Sequence, residues 1–266
     1  MSTWLITGAT SGFGRLVADR VLAAGNNVIA IGRRKDRLDD LVASAPVGRV
    51  IPIALDVTAA DAEQVIAAAV EGTGRLDVVV NNAGYGLFGS VEQTGAEAAK
   101  AIFDTNVLAN LAVLRATLPA IRASQGRIIQ LSSLIGSFAW ASSGLYSASK
   151  AAVELFSEAL ALELAPTGAK VTIIQPGTFA TEFTTSAHVV APDEVYLPTV
   201  GAFLDHISKL PSEALGDPNS VADGILAVAT MPEPPLRLPI GQDAIDGIGN
   251  ALRTRLGDLA VAPDNH

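Results

Sequence analysis

Apolar runs alternating with amphipathic helical patterns constrain the fold of this chain more than any other feature. Thr3–Thr7, Asn27–Gly32, Arg49–Leu55, Leu76–Asn81, Arg127–Ser133 and Lys170–Ile174 read as strands, and a helical pattern follows each of the first five. Leu76–Asn81 is almost wholly apolar, as expected for a strand covered on both faces of a parallel sheet. This alternation, with turns short enough for right-handed crossovers, predicts an α/β protein: a doubly wound parallel sheet with helices on both faces. No linker or internal repeat interrupts it, so a single domain is expected over 1–266. Ligands bind such sheets at the carboxyl ends of the strands. Gly8, Gly32, Asp56, Asn81, Ser133 and Pro176 all fall at those ends.

The first strand runs into Gly8-Ala-Thr-Ser-Gly12-Phe-Gly14 and then a helix with Leu16, Val17, Val21 and Leu22 on its apolar side. Gly8 permits a tight turn, Gly12 lets backbone approach a ligand, and Gly14 allows close packing of helix on strand. The free amides at the start of that helix suit a phosphate. Thr58 is expected to cap a helix reaching Glu71, and another helical stretch, Gly95 to Ile121, contains Asn106 and Pro119, the latter a candidate kink.

The run from Ser133 to Lys150 carries the chemistry. Tyr146 and Lys150 stand four apart at the start of a long helical pattern, so they share a helix face. A phenol with a pKa near ~10 is a poor base at neutral pH, and a neighbouring ammonium lowers that value. With Ser133 ending the preceding strand, the three make a proton-transfer site for a hydroxyl or carbonyl group. Tyr85 and Tyr196 have no lysine four residues on.

Composition removes other classes. Lys and Arg total 18 against 27 Asp and Glu, a net charge of −9, which argues against nucleic acid or an anionic membrane as partner. With no cysteine there is neither a disulfide nor thiolate catalysis. His188, His206 and His266 lack metal-ligand spacing, so no metal is expected. No signal peptide and no membrane-length apolar run are expected, and the expected location is the cytoplasm.

In combination, Thr7-Gly-x-x-x-Gly12-x-Gly14, Asn81-Asn-Ala-Gly84, Asn106, Ser133, Tyr146-x-x-x-Lys150 and Pro176-Gly-x-x-x-Thr181 resemble the short-chain dehydrogenase/reductase family over about Thr3 to Thr181. The resemblance implies a Rossmann-type sheet and an NAD(P)-dependent alcohol dehydrogenase or carbonyl reductase. By the same resemblance, Tyr146 is the acid/base on the substrate oxygen and Ser133 orients that oxygen. Lys150 lowers the tyrosine pKa and holds the nicotinamide ribose, and Asn106 anchors a water leading to solvent. The implied cofactor contacts are Gly8, Thr10, Ser11, Gly12, Phe13, Gly14, Arg33, Arg34, Asp56, Val57, Asn82, Ala83, Gly84, Tyr146, Lys150, Pro176, Gly177, Thr178 and Thr181. Ser133, Ile135, Phe138, Tyr146, Phe179 and Phe183 are the expected substrate contacts, in a mainly apolar pocket.

NADP(H) is the expected cofactor. A carboxylate at the end of the second strand would bond the adenosine ribose of NAD. Gly32 stands there instead, followed by Arg33 and Arg34, whose guanidinium forks suit a 2′-phosphate. The family also implies a homodimer or homotetramer through the helices that carry Asn106 and Tyr146. Residues 178–215 correspond to its variable substrate-binding loop, and the probable helix near 241–260 resembles the extended tail of the hydroxysteroid-dehydrogenase-like branch. Two other readings share these motifs: a 3-oxoacyl-carrier-protein reductase, and a non-catalytic dinucleotide sensor.

Overall fold

The computed structural model describes residues 1–260; side chains are described throughout this range except at 184, 185 and 212. His266 lies outside it. In chain order the elements are β1 Thr3–Thr7, α1 Gly12–Ala23, β2 Asn27–Gly32, α2 Lys35–Ser44, β3 Val50–Ala54, α3 Ala62–Thr73, β4 Val78–Asn81, β5 Leu87–Phe88 and α4 Ala96–Phe103. They continue with α5 Ala109–Ser124, β6 Arg127–Leu131, α6 Gly144–Leu164, β7 Lys170–Pro176, α7 Phe183–Ser186, β8 His188–Val189, α8 Ala202–Ser208, α9 Pro218–Thr230, β9 Arg237–Ile240 and α10 Gln242–Ala260.

Seven strands form one parallel sheet in the order β3-β2-β1-β4-β6-β7-β9. The doubly wound fold read from the sequence is the observed one. Every residue of β1 and β4 is buried, because helices cover both faces. On one face Ile6, Val28 and Leu131 pack with Val17, Val21, Val221 and Ile225 of α1 and α9. On the other, Leu5, Ile29 and Ile128 pack with Ile66, Val113, Ile121 and Leu160 of α3, α5 and α6. The helical run Ala96–Ser124 is long and apolar enough to cross a membrane, with mean hydropathy 1.2. Val113, Leu114 and Ile121 of that run lie in the core against the sheet.

Three local expectations change. Thr58 does not cap α3, which starts at Ala62; instead its amide and hydroxyl both donate to Asp56 Oδ1, at 3.0 and 2.8 Å. An aspartate two residues back offers the backbone a turn that competes with a helix start. Pro119 lies inside α5 without ending it. Asp104–Leu108 forms a π turn between α4 and α5, and Asn106 sits in its middle.

The β1–α1 turn depends on glycine. Gly8 has φ +67, and a Cβ there would lie 2.7 Å from Asn82 Nδ2. A Cβ on Gly14 would overlap the Gly8 carbonyl oxygen. Gly14→Ala is therefore expected to lose about 1–3 kcal/mol of stability by forced overpacking. Gly72→Ala, in α3 with nothing within 4 Å of its added methyl, should gain about 0.4–1 kcal/mol. Chemical denaturation of both variants checks the pair; equal stabilities would contradict the packing described.

Candidate active site

A cleft of about 1250 Å³ runs along the carboxyl edge of the sheet. At one end lie Gly8, Thr10, Ser11, Gly12 and Phe13 with Arg33 and Arg34; at the other lie Ser133, Tyr146 and Lys150. Ser11 makes no side-chain cap on α1, so that helix start keeps backbone donors for a ligand. The strand ends are tied to each other there. Thr7 Oγ1 accepts from the amides of Asn82 and Ala83, both at 3.0 Å, and Asn82 Nδ2 donates to Thr7 O at 2.9 Å. Asn81 joins a buried amide chain to Asn110 and Gln130, each link 2.9 Å.

Arg33 and Arg34 stand beside β2 in different states. Arg33 is 79% exposed, 3.9 Å from Asp56. Arg34 is held between Glu182 at 3.2 Å and Thr10 Oγ1 at 3.3 Å. The Thr58 amide, donating to Asp56, holds its carboxyl below the usual carboxylate range against the opposing effect of burial. A Cβ on Gly32 would lie 2.5 Å from Thr10 Cγ2. A side chain at the position where a carboxylate would reach the ribose would therefore have to displace Thr10.

At the other end, the first turn of α6 presents Tyr146 to the cleft and the second presents Lys150. Lys150 Nζ donates to Leu131 O at 2.8 Å and lies 5.9 Å from the Tyr146 ring centroid. Burial pulls the lysine down to about 8, with Glu154 opposing. The Tyr146 hydroxyl is pushed up, beyond the ordinary phenol range, by burial, and a hydrogen bond with Ser133 works the other way. The sequence leads one to expect Lys150 to lower the phenol; here burial is the larger cause, and Ser133 is the group that opposes it. Asn106 spends its side chain on structure: it bridges the backbone amide and carbonyl of Tyr85, both at 3.1 Å, and Ser149 Oγ at 3.0 Å.

Most expected contacts line the cleft, including Asp56, Val57, Asn82, Ala83, Gly84, Ile135, Pro176, Gly177, Thr178, Phe179, Thr181 and Phe183. Three stand off its wall. Gly14 is the spacer between helix and strand, Asn106 is buried behind Tyr85, and Phe138 packs on Gly247 of α10 and on Trp140. The expected apolar wall extends further than the sequence reading chose. Trp140, Phe88, Phe203, Leu204, Ile207 and Leu210 complete it. Phe203, Ile207 and Leu210 keep an i, i+4, i+7 helical period that marks this face, with the polar His206 beside it. Tyr146 meets Phe88 and Phe183 at 5.8 and 5.5 Å between ring centroids.

Asp243, at the start of α10, also touches the site. Its carboxylate accepts from the Thr178 amide at 2.7 Å and occupies the space a Cβ on Gly177 would need.

Known proteins resemble this chain in sequence and fold. The chain is 38% identical over 253 residues to an oxidoreductase of Botryotinia fuckeliana, covering 93% of this chain and 92% of that one. A crystal structure of a short-chain dehydrogenase from Streptomyces avermitilis superimposes with a TM-score of 0.90 at 38% identity, covering 98% of this chain and 96% of that one. The closed form of a serine dehydrogenase complexed with NADP+ gives 0.77 at 30% identity over 90% and 94%. The sequence model described as short chain dehydrogenase matches residues 2–189. With the glycine turn, the tied strand ends and the Ser133, Tyr146 and Lys150 cluster at one edge of its sheet, the chain belongs to the short-chain dehydrogenase family of oxidoreductases.

Proposed function

We propose that this protein is an NADP(H)-dependent reductase of bulky, apolar ketones, acting in reverse on the matching secondary alcohols. The observation that carries the reading is the buried Tyr146 side chain, beside Ser133 at the end of a cleft walled by aromatic and aliphatic side chains. The residues present suit the dinucleotide. The glycine turn and first amides of α1 would hold its pyrophosphate, Arg33 and Arg34 the 2′-phosphate, Asp56 and Val57 the adenine side, and Lys150 the nicotinamide ribose. The Asn82–Gly84 and Pro176–Thr181 segments would flank it. The NADP+ complex of the serine dehydrogenase relative supports this choice. When bound, the cofactor supplies a hydride.

The chain's own groups do the remaining work. Ser133 orients the carbonyl oxygen and Tyr146 delivers a proton to it. The upward push on the phenol keeps that proton in place at neutral pH, which suits the reduction direction. Lys150, charged below about pH 8, stabilises the phenolate left behind. With its side chain committed to Tyr85 and Ser149, Asn106 is left its backbone to anchor a water beside Lys150, within a π turn of the kind often found at functional sites. Among the described residues lining the cleft, the Lys and Arg side chains are Arg33, Arg34 and Lys150. Arg33 and Arg34 stand at the opposite end of the cleft and Lys150 is engaged with Leu131 O, which disfavours a carboxylate or sulfonate substrate. The same scarcity of cations, with Glu182 and Asp205 on the wall, disfavours an acidic carrier protein. The intact Ser133, Tyr146 and Lys150 set favours catalysis over sensing, and we place the enzyme in the cytoplasm.

NADPH consumption with a panel of aryl and alicyclic ketones, small oxo acids and a 3-oxoacyl thioester tests the reading. Turnover of the bulky neutral ketones is expected; a preference for oxo acids would overturn it. Tyr146→Phe should lose roughly 10²–10⁴-fold in kcat with NADPH affinity kept, whereas Lys150→Ala should lose both.

Cofactor preference is tested separately. Arg33→Ala should raise KM for NADPH about tenfold, the effect of losing roughly one charge-assisted phosphate contact, and leave that for NADH nearly unchanged. Wild-type kcat/KM higher with NADH than with NADPH would exclude the assignment. For assembly, Leu108, Leu155 and Leu162 are exposed large apolar side chains on and beside α5 and α6. We assign this face to a homodimer, or the first contact of a homotetramer; a monomer by light scattering at micromolar concentration would refute it.

A further inference from the structure

Only two charged side chains are buried among the described residues: Lys150, at 6% exposure, and Glu154, at 5%. They lie one helical turn apart on α6, on the face that carries Tyr146 a further turn back. The reaction outlined above uses Lys150 and gives Glu154 no part. Yet a carboxylate is costly to bury without partners, and this one is held from several sides. Glu154 Oε1 accepts from Ser132 Oγ at 2.7 Å and from Gln175 Nε2 at 3.0 Å, and Oε2 accepts from Arg237 Nε at 3.4 Å. Arg237 in turn donates to Glu158 Oε2 at 2.6 Å. Gly136 is glycine for the same reason: a Cβ there would overlap the Glu154 carboxylate.

We infer that Glu154 is a positioning residue for the proton-transfer site, keeping Lys150 charged and fixing the strand end that carries Ser133. The proposal rests on the carbonyl-reductase reading. Ser132 immediately precedes Ser133, and Gln175 immediately precedes Pro176, so one carboxylate pins both strand ends that frame the reacting centre. The signs alternate outward from the cleft: Lys150 positive, Glu154 negative, Arg237 positive, Glu158 negative. The charged and titratable groups facing this pair are Tyr146 on α6, Arg237 on β9 and, through Arg237, Glu158 on α6. Ser132, Ser137 and Gln175 supply the uncharged contacts. Burial draws the lysine down. Glu154 opposes this by raising the lysine, and Arg237 moderates that pull.

The test is the pH profile of kcat/KM for ketone reduction, with thermal melting as a check on folding. In Glu154→Gln the alkaline limb assigned to Lys150 should move down by about one pH unit, the size of effect a nearby charge produces. Glu158→Gln, which removes a partly exposed carboxylate beyond Arg237, should leave the limb where it is. Arg237→Met should move it up, because Glu154 then acts on Lys150 unmoderated. Ser132→Ala should lower kcat without moving the limb. Should Glu154→Gln not fold, the Arg237→Met shift decides alone. A limb unmoved in both Glu154→Gln and Arg237→Met, or moved equally in Glu158→Gln, overturns the proposal. If the wild type reduces none of the ketones, the functional reading fails, and the pH dependence of NADPH binding, followed by nicotinamide fluorescence, carries the same comparison. Equal pH dependence in wild type and Glu154→Gln would then overturn the role of Glu154.

Discussion

A parallel sheet covered on both faces leaves its backbone polar groups only one place to be useful: the edge where the strands end. β1 and β4 are buried along their whole length, so helices occupy the faces of the sheet and leave a ligand its edge. The amides and hydroxyls at the strand ends are then drawn together across short distances. Thr7 illustrates this, since its hydroxyl accepts from two successive amides of the segment after β4. The cleft wall is thus made from the same bonds that close the top of the sheet. Its floor is a property of the core, while its apolar wall comes from the segments above, Trp140 and Phe203 among them.

Charge is handled differently at the two ends of the cleft. At the α1 end the arginines are exposed or held by surface partners, in high dielectric, where ion pairs are weak and easily exchanged. A ligand phosphate can replace Glu182 on Arg34 at little cost. At the Tyr146 end the charges are buried, where each must be matched or it changes protonation state. Lys150 is accordingly drawn down toward neutrality while the phenol is pushed up. One end is suited to recognition by exchange of partners, the other to movement of a proton.

The sheet was largely legible in the sequence because its signal is local. β2 and the strand ends follow from apolar runs ended by glycine, amide or hydroxyl residues, and Tyr146 and Lys150 follow from helical spacing. What escaped depends on contacts between distant segments. Thr58 reads as a cap until Asp56 is seen to accept its hydrogen bonds. The π turn at Asn106 has no compositional mark within a run that reads as continuous helix. Phe138 reads as a cleft residue beside Ile135, yet α10 turns it away by packing Gly247 against its ring. The direction of the Tyr146 shift also required burial, because spacing supplies the neighbouring ammonium but not the loss of solvent. Phe203 falls in a region that reads as variable, and only folding brings it against Trp140.

Gly177 and Asp243 occupy one volume between them: the space denied to a methyl group at the first is filled by the carboxylate of the second. The start of the last helix is therefore keyed to the floor of the cleft, 66 positions earlier in the chain. These two sites can diverge only in concert. Transplanting this cleft onto a shorter scaffold would leave a hole under Thr178 unless the opening turn of the tail travelled with it. The opening turn of the tail is thus part of the fabric of the cleft.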